Sequence, residues 1–270
     1  MTDKIKILPA IEDRYQDNKM FIPITQAKYK QFMLKTDIFI RNLNNLLKTN
    51  DTLYCIVYDG ICMNINSDLM NFKRLNKSQI EILLENTKLE IVEYYVQLER
   101  EISKEEEEYI ENIFLNFMLA INNYKQILNS NNGSEGKMRG ILMEALSVSI
   151  FGDTDMFEQN LFIWDFKAFE NNAIIKTESR ETADIYFEKK KLAHVCEIKC
   201  RPSGIEETQV DYIIHLTKKL HDIDKLQYNA IILHGGTAEE FNFENINFSE
   251  KLKDFQIYTK ENIKELLKII

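Results

Sequence analysis

The chain has 270 residues, 44% of them hydrophobic and 29% charged, with eight Gly and three Pro. This is ordinary globular composition, enough for one large domain or two modest ones, and so few Gly and Pro argue against long low-complexity or flexible segments. The formal net charge of −9 excludes a protein that coats nucleic acid non-specifically, because such a coat must replace counterions along the phosphates, although a local basic strip on an acidic protein still binds them.

The N-terminus, MTDKIKILPAIEDR, lacks the apolar core of a signal peptide. No apolar run approaches the ~18 residues of a membrane helix. A cytoplasmic protein with no membrane partner is expected. Cys196 and Cys200 have a spacing compatible with zinc, but Cys55 and Cys62 do not supply a matching second pair. Reduced, partly buried thiols are therefore expected.

In chain order, residues 25–48 carry Phe32, Met33, Ile38, Ile40 and Leu43 at helical spacing. Residues 53–66 hold Asp59-Gly60 between two strand-like runs, which predicts a β-hairpin. Ser78 with Glu81, and Ser103 with Glu106, predict the capped starts of two helices. The run Glu105 to Glu108 then falls in a first helical turn, where carboxylates oppose the helix dipole. Nothing in this half combines into a catalytic constellation.

The stretch NSNNGSEG, residues 129–136, holds no apolar side chain and is the expected boundary between domains 1–130 and 131–270. Beyond it a helix is predicted over 137–151 and strands over 160–169, 182–188 and 192–200. A helix over 206–226, a buried strand over 228–236, and a short strand and helix from Phe255 follow. This succession implies an α/β fold: a strand meander, then a crossover to a further strand, with helices covering the sheet.

The chemistry-bearing residues lie on the second and third of these strands, joined at Lys189-Lys190-Lys191. A hairpin centred between Lys190 and Lys191 opposes Asp184 to Glu197, with Cβ atoms roughly 5 Å apart. Opposed carboxylates are unfavourable without compensation, and a divalent cation is the simplest compensation. Lys199 lies two residues from Glu197 and shares its face, while Cys196 and Ile198 point into a core. Asp165 on the first strand is a weaker ligand candidate, and Trp164 is expected in the core. None of the four histidines has ligand spacing.

Residues 137–236 resemble the PD-(D/E)XK nuclease superfamily, the restriction-endonuclease-like fold. Its core of helix, three-strand meander, helix and strand carries an acid on the second strand, then Asp or Glu, any residue, and Lys on the third. Here these are Asp184 and Glu197-Ile198-Lys199. Glu144 matches a glutamate that many members carry on the first core helix, and Gln209 matches a glutamine of some members. Ala183 stands where the family name has Pro.

The resemblance implies Mg²⁺-dependent phosphodiester hydrolysis, with Mn²⁺ able to substitute. Asp184, Glu197 and the Ile198 carbonyl would hold the metal, Lys199 would orient water or stabilise developing charge, and Glu144 would serve a second metal or the first one's water shell. Lys189, Lys190, Lys191 and Arg201 are candidate phosphate contacts. The implied function is a DNA endonuclease of restriction or anti-phage type, acting as a homodimer or with a partner protein, with RNA left open by the residues. The competing function is a non-catalytic nucleic-acid-binding or protein-interaction module on the same fold. An unrelated α/β enzyme lacks support, since no Gly-rich phosphate loop is visible.

Overall fold

The computed structural model describes residues 5–10, 30–66, 78–79, 82, 84–129, 134–151, 162–244 and 246–270. Contacts divide the chain into two compact units, one of Met1–Phe21 with Phe151–Ile270 and the other of Ile22–Ile150. This division differs from a single boundary at residue 130. The start of the chain groups with the C-terminal half, and residues 135–150 group with the preceding helices.

The helical unit contains α1 (Lys30–Thr49), α2 (Asp51–Asn66), α3 (Glu85–Gln97), α4 (Lys104–Asn129) and α5 (Glu135–Phe151, whose last residue groups with the other unit). The helix predicted over 25–48 is found from residue 30; residues 25–29 lie outside the described residues, as does Glu81 of the first predicted cap. Helices α1 and α4 pack along each other, with Phe32 against Tyr124 and Phe39 against Phe117 at centroid separations of 4.9 and 5.7 Å. The start of α4 carries the predicted reciprocal cap. Glu106 N–H donates to Ser103 Oγ (3.2 Å), and Ser103 N–H donates to Glu106 Oε2 (3.0 Å).

The hairpin predicted over 53–66 is a helix instead. Its buried residues include Tyr54, Val57, Tyr58, Ile61 and Ile65, a helical period. Asn50 starts it, accepting the Leu53 N–H at 3.0 Å. Gly60 serves close packing rather than a turn: a Cβ there would meet Thr87 Oγ1 at 2.0 Å and Thr87 Cγ2 at 2.6 Å. Gly60→Ala would gain about 0.5–1 kcal/mol of helix propensity and lose about 1–3 kcal/mol to overpacking. A net loss of stability is expected in urea unfolding, partly recovered by adding Thr87→Ala.

The other unit is built on a mixed seven-stranded sheet, so the chain is α/β. Its strands are β1 (Lys6–Pro9), β2 (Phe162–Glu170), β3 (Ala173–Ile174), β4 (Ala183–Lys189), β5 (Leu192–Lys199), β6 (Gln227–His234) and β7 (Phe255–Thr259). The order is β1-β2-β4-β5-β6-β7, with β3 paired to β2. Neighbours are antiparallel from β1 to β5, whereas β5, β6 and β7 run parallel. The parallel step from β5 to β6 needs a crossover, supplied by α6 (Glu207–Lys219). It buries Val210, Ile213 and Leu216 against Val195, Ala230 and Ile232. Helices α7 (Ala238–Glu244) and α8 (Ile263–Leu267) flank β7 in the chain. No helix among the described residues is long and apolar enough to cross a membrane.

Candidate functional site

The β4–β5 turn fixes the register. Lys190 and Lys191 both take left-handed backbone, with φ of 50° and 66°, the conformation of a two-residue type I′ hairpin loop. Pairs then run from Lys189 opposite Leu192 to Ile185 opposite Cys196. One step further the same register opposes Asp184 to Glu197. At that step a side chain replaces the backbone ladder, as Ile198 N–H donates to Asp184 Oδ2 at 2.7 Å.

Lys199 Nζ reaches back into this opening. It donates to Glu197 Oε1 at 2.6 Å and to the Ile198 carbonyl at 3.1 Å, and it lies 3.5 Å from Asp184 Oδ2. Three oxygens, two from carboxylates and one from backbone, thus converge on one positive group. Glu197 is 2% exposed, so its charge depends on such partners. A second cation, which carries no signal in the sequence pattern, is Arg180 on the loop before β4. Its Nη2 donates to Glu197 Oε1 at 3.0 Å. Burial, and then the neighbouring Asp184 charge, raise the Glu197 carboxyl to about 7 against the opposing pull of Lys199 and Arg180.

The cluster suits a small hard cation. Asp184 Oδ1 and Glu197 Oε2 accept no hydrogen bond among the described residues, and carboxylate and carbonyl oxygens are the donors Mg²⁺ prefers. No group of three or more His, Cys, Asp or Glu side chains positioned for one ion occurs among the described residues. The protein's own donors here are two carboxylates and one carbonyl, which leaves coordination positions to water or substrate, as is usual for Mg²⁺.

The remaining expected residues fall as follows. Asp165 has φ of 50° and stands between Trp164, opposite Ile185, and Phe166, opposite Ala183, so the register aligns it with Asp184. Gln209 is buried and works as a cap, accepting the Glu206 N–H through Oε1 at 2.9 Å. The lysine turn lies at the other end of β4, five residues from Asp184, or about 17 Å along an extended strand. There Lys189 Nζ donates to the Ile270 carbonyl, and Lys190 and Lys191 are exposed. Arg201 is half-buried just beyond Lys199. Glu144 lies on α5 in the helical unit and is half-buried. None of the four cysteines forms a disulfide among the described residues. His234, which pairs with Lys199 in the parallel register, is fully buried and stacks on Phe241, and its burial lowers it to about 4, a neutral ring at neutral pH.

The raised Glu197 carboxyl has a measurable consequence. A carboxyl whose folded value lies above its unfolded one gives the folded state extra stability at low pH, and that stability is lost as pH rises from about 4.5 to about 7. A cation held at this pair would require the ionised form, so Mn²⁺ affinity should tighten as pH rises through the raised Glu197 value. Titrating Mn²⁺ by electron paramagnetic resonance between pH 6 and 8 checks this, and flat affinity would remove Glu197 from the ligand set.

Compared with known proteins, the chain matches no family model and no curated protein sequence.

Proposed function

We propose that the sheet unit is a Mg²⁺-dependent nuclease of restriction-endonuclease-like architecture, hydrolysing phosphodiester bonds in DNA. The observation that carries this reading is the convergence of Glu197 Oε1, Ile198 O and Asp184 Oδ2 on the Lys199 ammonium. These oxygens form a cation-binding pocket whose charge and donor chemistry match those of a metal site. The antiparallel β2–β4–β5 meander followed by α6 and a parallel β6 supports the same architecture.

A bound Mg²⁺ supplies Lewis acidity toward the scissile phosphate and a water of lowered pKa. Asp184, Glu197 and the Ile198 carbonyl would hold it. Lys199 then donates to the attacking water or to the phosphoryl oxygens as negative charge builds there. Water adds to phosphorus, the bond to the leaving ester oxygen breaks, and that oxygen takes up a proton, leaving a phosphomonoester and a hydroxyl. Cleavage of both strands requires two such sites, so a homodimer or a partner-protein complex belongs to the same proposal.

A second reading is a non-catalytic nucleic-acid-binding module. One observation favours it: Arg180 and Lys199 pair directly with the carboxylates of Asp184 and Glu197, two cations against two anions. Incubation of the full chain with circular, linear and single-stranded DNA and with RNA, in Mg²⁺ or chelator, separates the two. Metal-dependent cleavage supports the nuclease. Binding without cleavage under every condition supports the module.

A further inference from the structure

Arg180 is fixed by bonds to its own loop and to its neighbours as well as by Glu197. Its loop is closed on itself: Thr177 N–H donates to the Arg180 carbonyl at 2.9 Å, and Arg180 N–H donates to Thr177 Oγ1 at 3.2 Å. The next residue is fixed from two sides. Tyr212 of α6, its ring buried in the core, donates its hydroxyl to the Glu181 carbonyl at 3.2 Å, and Lys167 of β2 pairs with the Glu181 carboxylate at 2.7 Å. The guanidinium itself is oriented by two bonds, Nε to the Thr182 carbonyl at 3.1 Å and Nη2 to Glu197 Oε1 at 3.0 Å.

Among the described residues Nη1 and the second Nη2 hydrogen donate to nothing, and the side chain is 24% exposed. Lys199 also donates to the oxygen that Arg180 contacts, and among the described residues Nη2 is the only part of the guanidinium engaged with the carboxylate pair. A planar fork of N–H donors, fixed in direction and open on one edge, matches the oxygens of a phosphate. It stands beside the carboxylate pair that would hold the metal, on a chain whose net charge repels phosphate in general.

We infer that Arg180 is the residue that grips the substrate phosphodiester at this site. The guanidinium is pre-set by Thr182 and Glu197, so that its free edge holds a non-bridging phosphate oxygen next to the metal pocket. This rests on the nuclease reading for its substrate class, a nucleic-acid backbone, but it can be tested by binding without cleavage.

The test uses the full chain, a fluorescein-labelled DNA duplex and its single strand, and Ca²⁺ in place of Mg²⁺. Wild type, Arg180→Gln and Arg180→Lys are compared by fluorescence anisotropy over a range of salt concentrations, with thermal unfolding and Mn²⁺ titration in parallel. Arg180→Gln is expected to weaken binding by about tenfold to hundredfold, the loss of a charge-assisted bond. It should also lower the salt-dependence slope by about 1, the comparison being made with Ca²⁺ saturating each variant because Arg180 also contacts Glu197. Arg180→Lys should keep the slope but lose part of the affinity, because a point charge lacks the planar fork, and full wild-type affinity in it would overturn the inference if the Gln variant unfolds early. Unchanged DNA affinity and slope in Arg180→Gln would overturn the inference even if wild type cleaves DNA, leaving the nuclease reading in place. Arg180-dependent binding by a wild type that never cleaves would sustain the inference and overturn the nuclease reading. A wild type that neither binds nor cleaves would overturn both.

Discussion

Lys199→Ala is expected to lower the rate of Mg²⁺-dependent cleavage by about 10²- to 10³-fold, the usual loss when a donor aimed at developing charge is removed. The variant should still bind metal. Its ammonium occupies the meeting point of Glu197 Oε1, Ile198 O and Asp184 Oδ2, so its removal vacates that position and strengthens the demand of the two carboxylates for a cation. Mn²⁺ should therefore bind Lys199→Ala at least as tightly as wild type. Without metal the variant should be less stable at pH 8 than at pH 6 relative to wild type, because Glu197 loses a partner and is easily accommodated only when protonated. Single-turnover cleavage, Mn²⁺ titration and urea unfolding at the two pH values check the three statements. Wild-type cleavage rates in the variant would remove Lys199 from the chemistry.

The second large effect is expected from the acids. Asp184→Asn and Glu197→Gln would each take away one charged ligand of the proposed metal and should weaken Mn²⁺ binding by about 10² or more, with loss of cleavage at ordinary Mg²⁺ concentrations. The two variants should part company in stability. Glu197 is 2% exposed and its ionisation is opposed by burial, so the neutral amide should cost the metal-free protein little at pH 8. Asp184 accepts the Ile198 N–H at 2.7 Å and lies where the backbone ladder stops. Asn there keeps the shape but weakens a charge-assisted bond worth about 1.5–3 kcal/mol. Isothermal titration with Mn²⁺ and urea unfolding at pH 8 measure both, and equal metal affinity in all three proteins would refute a metal site here.

The central hairpin was legible in the sequence because it is local. Its loop of two residues permits one register, and that register brings Asp184 to Glu197 and turns Lys199 to the same side. The crossover to β6 was legible for a similar reason, as a helical period followed by a continuous apolar run. Asp59-Gly60 misled, because a glycine that lets a neighbouring helix approach resembles one that turns a chain. The deciding partner, Thr87, is distant in sequence. Arg180 left no signal, since loop residues have no periodicity and its contact with Glu197 exists only in the folded sheet. Strand β1 is four residues long and half-exposed, too short for a pattern, and its partner β2 is more than 150 residues away.

That distant pairing bears on how the protein can be cut for study. A fragment starting at residue 131 keeps Asp184, Glu197, Lys199 and Arg180 but loses Lys6–Pro9, the strand that covers Phe166–Phe169 of β2. The fragment would expose a fresh row of backbone donors and acceptors at the border of the sheet, the kind of border along which chains stick to one another. Insolubility of such a fragment would therefore report a missing strand rather than a flaw in the site, and supplying residues 5–10 as a peptide should relieve it.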